Sequence, residues 1–223
     1  MVLGAQAPGR VGRRPVFAHD QDPQQGILIV WTGDRRSLCL PPAHAVLDCF
    51  EMELRDSDLV LRDWTVDDVP AIVTGCNDAE IAHWIPLIPH PYTEADALEF
   101  LEGEILPDQL KLAMQLDGRV VGGIGMTVNS HDYRGTIGYW VARDARGQGI
   151  CTRAVRLLAR HALEDLELQR VDLVTDPDNA ASQRVAEKVG FQREGVLRAH
   201  LRHPDGRIRD SVMFSLLPGD LRE

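Results

Sequence analysis

Arg146-Gly147-Gln148-Gly149 sits between an apolar stretch (Tyr139, Trp140, Val141) and a helical pattern in which Ala154, Leu157, Leu158 and His161/Ala162 recur at three- and four-residue spacing. Glycine lets a backbone bend tightly and approach a ligand closely. The first N–H groups of the helix that follows, among them those of Ile150, Cys151 and Thr152, have no intrahelical acceptor and carry the positive end of the helix dipole. Strand, glycine turn and helix N-terminus in that order make an anion site best suited to phosphate. A second polar constellation, DPDNAAS from Asp176 to Ser182, combines turn residues with Asn179 as a good cap for a helix from Ala180 to Val189, closed by Gly190.

A third candidate is the aromatic, proline-broken run Ile81 to Tyr92 (IAHWIPLIPHPY), in which Pro86, Pro89 and Pro91 each remove a backbone donor. As a substrate-pocket wall it offers His83, Trp84 and Tyr92; read structurally, Trp84, Ile85 and Leu87 are a lid over the core. Cys39, Cys49, Cys76 and Cys151 are scattered, with no CxxC pair and no histidines at ligand spacing. Neither a disulfide framework nor a metal site is expected, and reduced thiols in a cytoplasmic protein are.

These residues need elements to hold them. Alternation of Leu59, Leu61 and Trp64 predicts a first strand, and Thr65 caps a helix over Val66 to Cys76, with Asp67 and Asp68 in its first turn. Thr93 opens a second helix with Asp96 as its capping-box acid and Ala97, Phe100, Leu101 and Ile105 on one face. Lys111 to Leu116 and Arg119 to Val128 read as a hairpin around Asp117-Gly118, and Gly122-Gly123-Ile124-Gly125 marks a bulge or a close neighbour. Thr136 to Val141 is the strand that delivers the chain to the glycine turn. Beyond the long helix come a strand at Arg170 to Thr175, the Ala180 to Val189 helix, and a last hairpin of Val196 to His203 and Ile208 to Leu217 around Asp205-Gly206. The order predicts an α+β domain with a mixed sheet and a strand–helix–strand crossover at its centre.

Residues 1–55 are different in kind: five prolines among short polar runs, with only GILIVW (26–31) resembling a strand. They are expected to form an irregular extension, with the functional chain beginning near Met52 and the domain spanning 57–218; loss of folding or activity on deleting 1–51 would contradict this. Nothing in the chain approaches the ~20 apolar residues that span a bilayer, and MVLGAQAPGRVGRR lacks the h-region of a signal peptide. The formal charge of −10, from 34 acidic against 24 basic residues, is the wrong sign for a protein that binds nucleic acid by neutralising phosphates. It suits a cationic acceptor such as an amine.

The hexapeptide Arg146-Gly147-Gln148-Gly149-Ile150-Cys151 resembles the Q/R-x-x-G-x-G/A signature of the GNAT N-acyltransferases. IGYWV before it and PDNAASQRVAEKVGF after it resemble the RimJ/RimL-like branch, which acetylates ribosomal-protein N-termini; the likeness covers residues 57 to 217. It implies a GNAT-type, largely antiparallel sheet flanked by helices, an acyl-CoA such as acetyl-CoA as co-substrate, no metal, direct transfer to a primary amine or protein N-terminus, and a fold in which homodimers are common. Gly147, Gln148, Gly149, Ile150, Cys151 and Thr152 would cradle the pyrophosphate with Arg146, the backbone of Tyr139, Trp140 and Val141 would pair with the pantetheine arm, Asn179 would lie beside that arm, and Ser182 would face the thioester sulfur as the catalytic proton donor or stabiliser. Cys151 departs from the signature, which wants Gly or Ala; a packing role is expected, although a helix N-terminus lowers thiol pKa and leaves a nucleophile open. Relatives carry a basic carboxylate where this chain has Thr136, or near Leu201. The remaining candidates for a base are His83, His90, Asp132, His200, His203 and a water chain. Without a carboxylate, an acyl-CoA-binding sensor that lacks catalysis stays as the alternative.

Overall fold

The computed structural model describes residues 52–103, 106 and 108–222. The chain runs β1 (Glu53–Asp56), β2 (Leu59–Asp63), α1 (Val69–Cys76), α2 (Ala79–Trp84), α3 (Glu94–Glu102), β3 (Gln109–Leu116), β4 (Arg119–Asn129), β5 (Arg134–Val141), α4 (Ile150–Glu164), β6 (Arg170–Thr175), α5 (Ala180–Val189), β7 (Gln192–Arg202) and β8 (Ile208–Leu216). The strands form one sheet in the order β1-β2-β3-β4-β5-β6-β8-β7. Every neighbouring pair is antiparallel except β5 and β6, which α4 joins as a crossover. That parallel ladder runs only from Arg134↔Arg170 to Ile137↔Leu173. Beyond Ile137 the two strands part, leaving the Gly138-to-Val141 half of β5 without a strand partner on that side.

The sheet separates two apolar layers. On one face Leu110, Leu112, Met126, Ile137, Val171 and Phe214 pack against Ala154, Val155, Leu158 and Ala162 of α4 and Ala186 and Val189 of α5. On the other, Ile72 and Cys76 of α1, Ile81 of α2 and Ala97 of α3 close over Trp140, with Trp64 packed beside them. Trp64 and Trp140 stack with centroids 6.4 Å apart. This stack explains Gly123 of the β4 glycine run, since a Cβ there would come within 2.7 Å of Trp140 Nε1. Gly122 lies against the Trp140 carbonyl, a Cβ on Gly125 would come within 2.7 Å of the Leu110 carbonyl oxygen, and β3 shifts register against β4 between Met114 and Gln115.

Several boundaries differ from the sequence expectations. The first strand is a hairpin, β1 and β2, turned at Ser57 with φ of 54°. Helix α2 forms where a loop was expected, because the Asp78 side chain accepts from the Glu80 N–H and starts a helix just short of Pro86. Helix α3 stops at Glu102, so Ile105, like the GILIVW segment, lies outside the described residues. Strand β7 begins at Gln192, four residues early, because its polar start is held by backbone pairing to Ser215 and Phe214. No helix among the described residues is long and apolar enough to cross a membrane.

The entrance to α1 depends on one carboxylate. Asp68 takes both Arg62 guanidinium nitrogens at 2.8 and 2.9 Å, and the Thr65 N–H at 2.8 Å. Burial would raise its pKa, but Arg62 and the Thr65 N–H prevail and hold it below the ordinary aspartate value. Asp68→Ala is expected to lower stability by about 2–3 kcal/mol in urea titrations, through the lost cap and an unpaired Arg62. A carboxylate with a depressed folded-state pKa stabilises above its unfolded value of about 3.9 and loses that contribution as pH falls through the folded one. The gap between wild type and variant is therefore expected at pH 7 and should close in acid.

Candidate functional site

Gly147 and Gly149 have φ of 76° and 79°, in the left-handed region, and a Cβ on either would meet nothing within 4 Å. The turn therefore exposes bare backbone. Gly149 is the N-cap of α4, and the first backbone bond into the helix is Arg153 N–H to the Gly149 carbonyl at 3.1 Å. The N–H groups of Ile150, Cys151 and Thr152 precede it, free of intrahelical acceptors at the positive end of a fifteen-residue helix. A glycine cradle over such N–H groups fits a phosphate.

Arg146 is positioned otherwise than expected. Its Nε donates to the Val141 carbonyl at 3.0 Å, Nη1 to Glu80 at 2.7 Å and Nη2 to Asp78 at 2.8 Å. The guanidinium ties the turn to the start of α2, with Arg143 a further 3.4 Å from Asp78. Its charge is neutralised by protein carboxylates, so Arg146 shapes the cradle more than it supplies free charge to it. Gln148 is exposed, and its side-chain amide donates to the Asp144 carbonyl at 2.9 Å, bracing the turn from outside.

At the parting of β5 and β6 the Tyr139 hydroxyl lies 2.8 Å from the Ser182 Oγ, joining β5 to the first turn of α5. Asn179 caps that turn by accepting from the Ser182 N–H at 3.0 Å. Burial raises the Tyr139 phenol well above its ordinary pKa, so it remains a neutral proton donor. From the sequence only the Tyr139 backbone is expected at the site; the fold adds its side chain. Its partner is 43 positions away, and only strand alternation, which turns Tyr139 toward α4 and α5 with Ile137, signals it. Cys151 packs against the same core, and burial pushes its thiol up to about 12. A thiol with that pKa stays protonated at neutral pH, which fits packing and not nucleophilic attack.

The aromatic wall divides. His83 is exposed and sits edge-on to half-buried Trp84, ring centroids 4.4 Å apart. Tyr92 lies in the α1–α3 core: its backbone is clamped by the Asn77 side chain and its hydroxyl donates to the Asp96 carbonyl at 3.2 Å. It therefore holds the loop in place and does not line a wall. Trp140 is similarly a core side chain, with only its backbone at the parting.

Among the proposed bases, Thr136 faces Asp172 across the short parallel ladder. Asp172, which no sequence motif marks, is 2% exposed and takes Arg170 Nε at 2.7 Å and Arg134 Nε at 3.3 Å. Burial raises its pKa despite the arginines. His200 lies 3.1 Å from Ser211 Oγ, with its pKa lowered by burial and by Arg209. Among the described residues no three His, Cys, Asp or Glu side chains gather as a metal site would require.

Comparison with known proteins adds to this geometry. A family model described as an acetyltransferase (GNAT) domain matches residues 58–192. The Bacillus subtilis protein named "Putative ribosomal N-acetyltransferase YdaF" is 36% identical over 48% of this chain, a match that spans 59% of that relative's own length. "Uncharacterized N-acetyltransferase p20" of Bacillus licheniformis is 26% identical over 75% of the chain and 90% of its own. The solved structure of RimL, a ribosomal protein α-N-acetyltransferase in complex with coenzyme A, superposes with a TM-score of 0.68 at 20% identity, covering 74% of this chain and 98% of that one. At that identity the superposition speaks for the fold alone.

Proposed function

The chain belongs to the GNAT acetyltransferase family, and on that premise we propose that it transfers an acetyl group from acetyl-CoA directly to a primary amine, with a protein N-terminus as the favoured acceptor. The observation that carries this reading is the parting of β5 from β6 beside the glycine cradle of α4. An extended chain of amides ending in a phosphate fits that combination.

Bound acetyl-CoA would supply an activated acetyl thioester. The N–H groups of Ile150, Cys151 and Thr152 would donate to its pyrophosphate, with Gly147 and Gly149 allowing the approach. The edge of β5 from Gly138 onward would pair with its amides as an added strand would, up to Val141, whose carbonyl is already taken by Arg146. Tyr139 and Ser182, hydrogen-bonded to each other, would hand a proton to the departing sulfur, and Asn179 fixes the turn that carries Ser182. An amine with a pKa near the α-amino value of about 8 is partly neutral at pH 7, so its deprotonation can pass through water beside Thr136. The name of the Bacillus subtilis relative, "Putative ribosomal N-acetyltransferase YdaF", is what favours a protein N-terminus over a small amine. Buried, unpaired Cys76 and partly buried Cys151 fit a cytoplasmic setting.

The test is incubation of the protein with acetyl-CoA and a panel of amines, including peptides with free and blocked N-termini, following thiol release. Turnover of free but not blocked peptides is expected. Binding of coenzyme A with no turnover of any amine would overturn the reading in favour of a sensor.

A further inference from the structure

Resting on that acetyltransferase reading, we infer that the acceptor carries a carboxylate about 10 Å from its amine, and that Lys111 receives it. The register places Lys111 of β3 opposite Gly125 of β4, and Gly125 opposite Gly138 of β5. The three form one row across the sheet. Their chain neighbours Leu110, Leu112, Ile124, Met126, Ile137 and Tyr139 belong to the α4/α5 layer, so the row faces the side of α1–α3. Two of its three positions have no side chain.

The row is thus the floor of a trench. Trp140, lying over Gly123, walls one side, and Gln109, Thr127 and Thr136 occupy the row on the other. Gly138 is exposed, a Cβ there would meet nothing within 4 Å, and it is the first residue of β5 beyond the ladder with β6. One end of the trench therefore opens at the parting where the thioester would lie.

The other end runs into a cavity of about 350 Å³ lined by Trp64, Val66, Leu98, Phe100 and Leu101 together with the carboxylates Asp63 and Glu102. Lys111 also lines it, its Nζ 5.5 Å from the centre of the Phe100 ring. Among the described residues no carboxylate stands within ion-pairing distance of Lys111, and half-burial lowers its pKa. A desolvated ammonium held by a ring face and apolar walls gains most from an anion brought in by a ligand. Strands lie about 4.8 Å apart, so Gly138 and Lys111 are about 10 Å apart. An extended peptide advances about 3.3–3.6 Å per residue, which puts the acidic side chain on the third residue when the α-amine lies over Gly138. The net charge of −10 draws cationic acceptors from a distance; Lys111 selects among them at contact.

The test compares hexapeptide amides carrying Asp, Asn or Lys at position two, three or four, as kcat/KM with wild type, Lys111→Met and Lys111→Glu. Wild type is expected to favour Asp over Lys at position three about tenfold, through KM. Lys111→Met should abolish that preference and Lys111→Glu reverse it; if the glutamate variant fails to fold, the methionine variant, which keeps the apolar stem, decides. A preference for Asp that survives Lys111→Met, or no preference in wild type, would overturn the inference while leaving acetyl transfer standing. Failure to turn over any peptide or amine would remove both. The chain has only two lysines, Lys111 and Lys188, so intact mass and peptide mapping after exposure to acetyl-CoA are unambiguous. An acetyl group on Lys111 itself would overturn the inference by making that amine the acceptor.

Discussion

Tyr139→Phe is expected to lower kcat for acetyl transfer about 10²-fold while changing the KM for acetyl-CoA little. The phenol is 2.8 Å from Ser182 Oγ and is kept protonated by burial, so removing it deletes a proton donor and leaves the shape of the parting intact. General acid assistance is typically worth about 10²–10⁴-fold, and a shared role with Ser182 puts the single change at the low end. Ser182→Ala should produce a similar loss, and the double variant little more than either, because the two hydroxyls act as one unit. A structural fault would lower every rate alike. A proton-donor fault shrinks when the donor is a thioester whose leaving thiol is more acidic, and that comparison decides between them. Because the phenol pKa lies well above 10, no fall in kcat from Tyr139 is expected on the alkaline side below that pH.

The second large effect is expected at the glycine turn. Gly149→Val should weaken coenzyme A binding about 10²-fold by calorimetry, and Gly147→Val should do the same. Each residue has a left-handed φ that a β-branched side chain adopts only under strain, at a cost of about 1–2 kcal/mol. The turn relieves that strain by rotating its N–H groups away from the ligand. Hydrogen bonds to charged groups are worth about 1.5–3 kcal/mol each, so misdirecting one or two accounts for the expected loss. Gly138→Ala is the contrast: its backbone is ordinary and its Cβ meets open space, so coenzyme A affinity should hold while the trench floor rises under the acceptor. Unchanged coenzyme A affinity in Gly149→Val would remove the turn from the donor site.

Where the sequence carries a period, it forecast the structure closely. β6 at Arg170–Thr175 and α5 at Ala180–Val189 were read with their observed ends, since alternation, a cap and a closing glycine all agreed. Helix α2 escaped because six residues between Asp78 and Ile85 are too few to display a helical period, and the prolines after it read as a loop. The β1–β2 turn escaped because Ser57 takes a positive φ without the glycine that normally announces one. At the site, the backbone features were legible and the side-chain partnerships were not. Gly147 and Gly149 show their role locally. Arg146 finds Asp78 and Glu80 from more than sixty positions away, and Asp172 finds Arg134 across the crossover. Those pairings depend on register, which no single stretch contains.

The short parallel ladder has a further consequence for the motions of the molecule. The sheet is two banks, β1–β5 and β6–β8, and the ladder they share runs only from Arg134 to Ile137, extended at its start by the Gln169 N–H donating to the Tyr133 carbonyl at 2.8 Å. Cooperative opening follows the weakest seam, so amide protons flanking this ladder should exchange by a lower-energy fluctuation than those inside either bank. An extended molecule laid along the free half of β5 would lengthen the seam. Slowed exchange on both banks at once, read amide by amide with and without coenzyme A, would register it as a clasp between two parts that otherwise breathe separately.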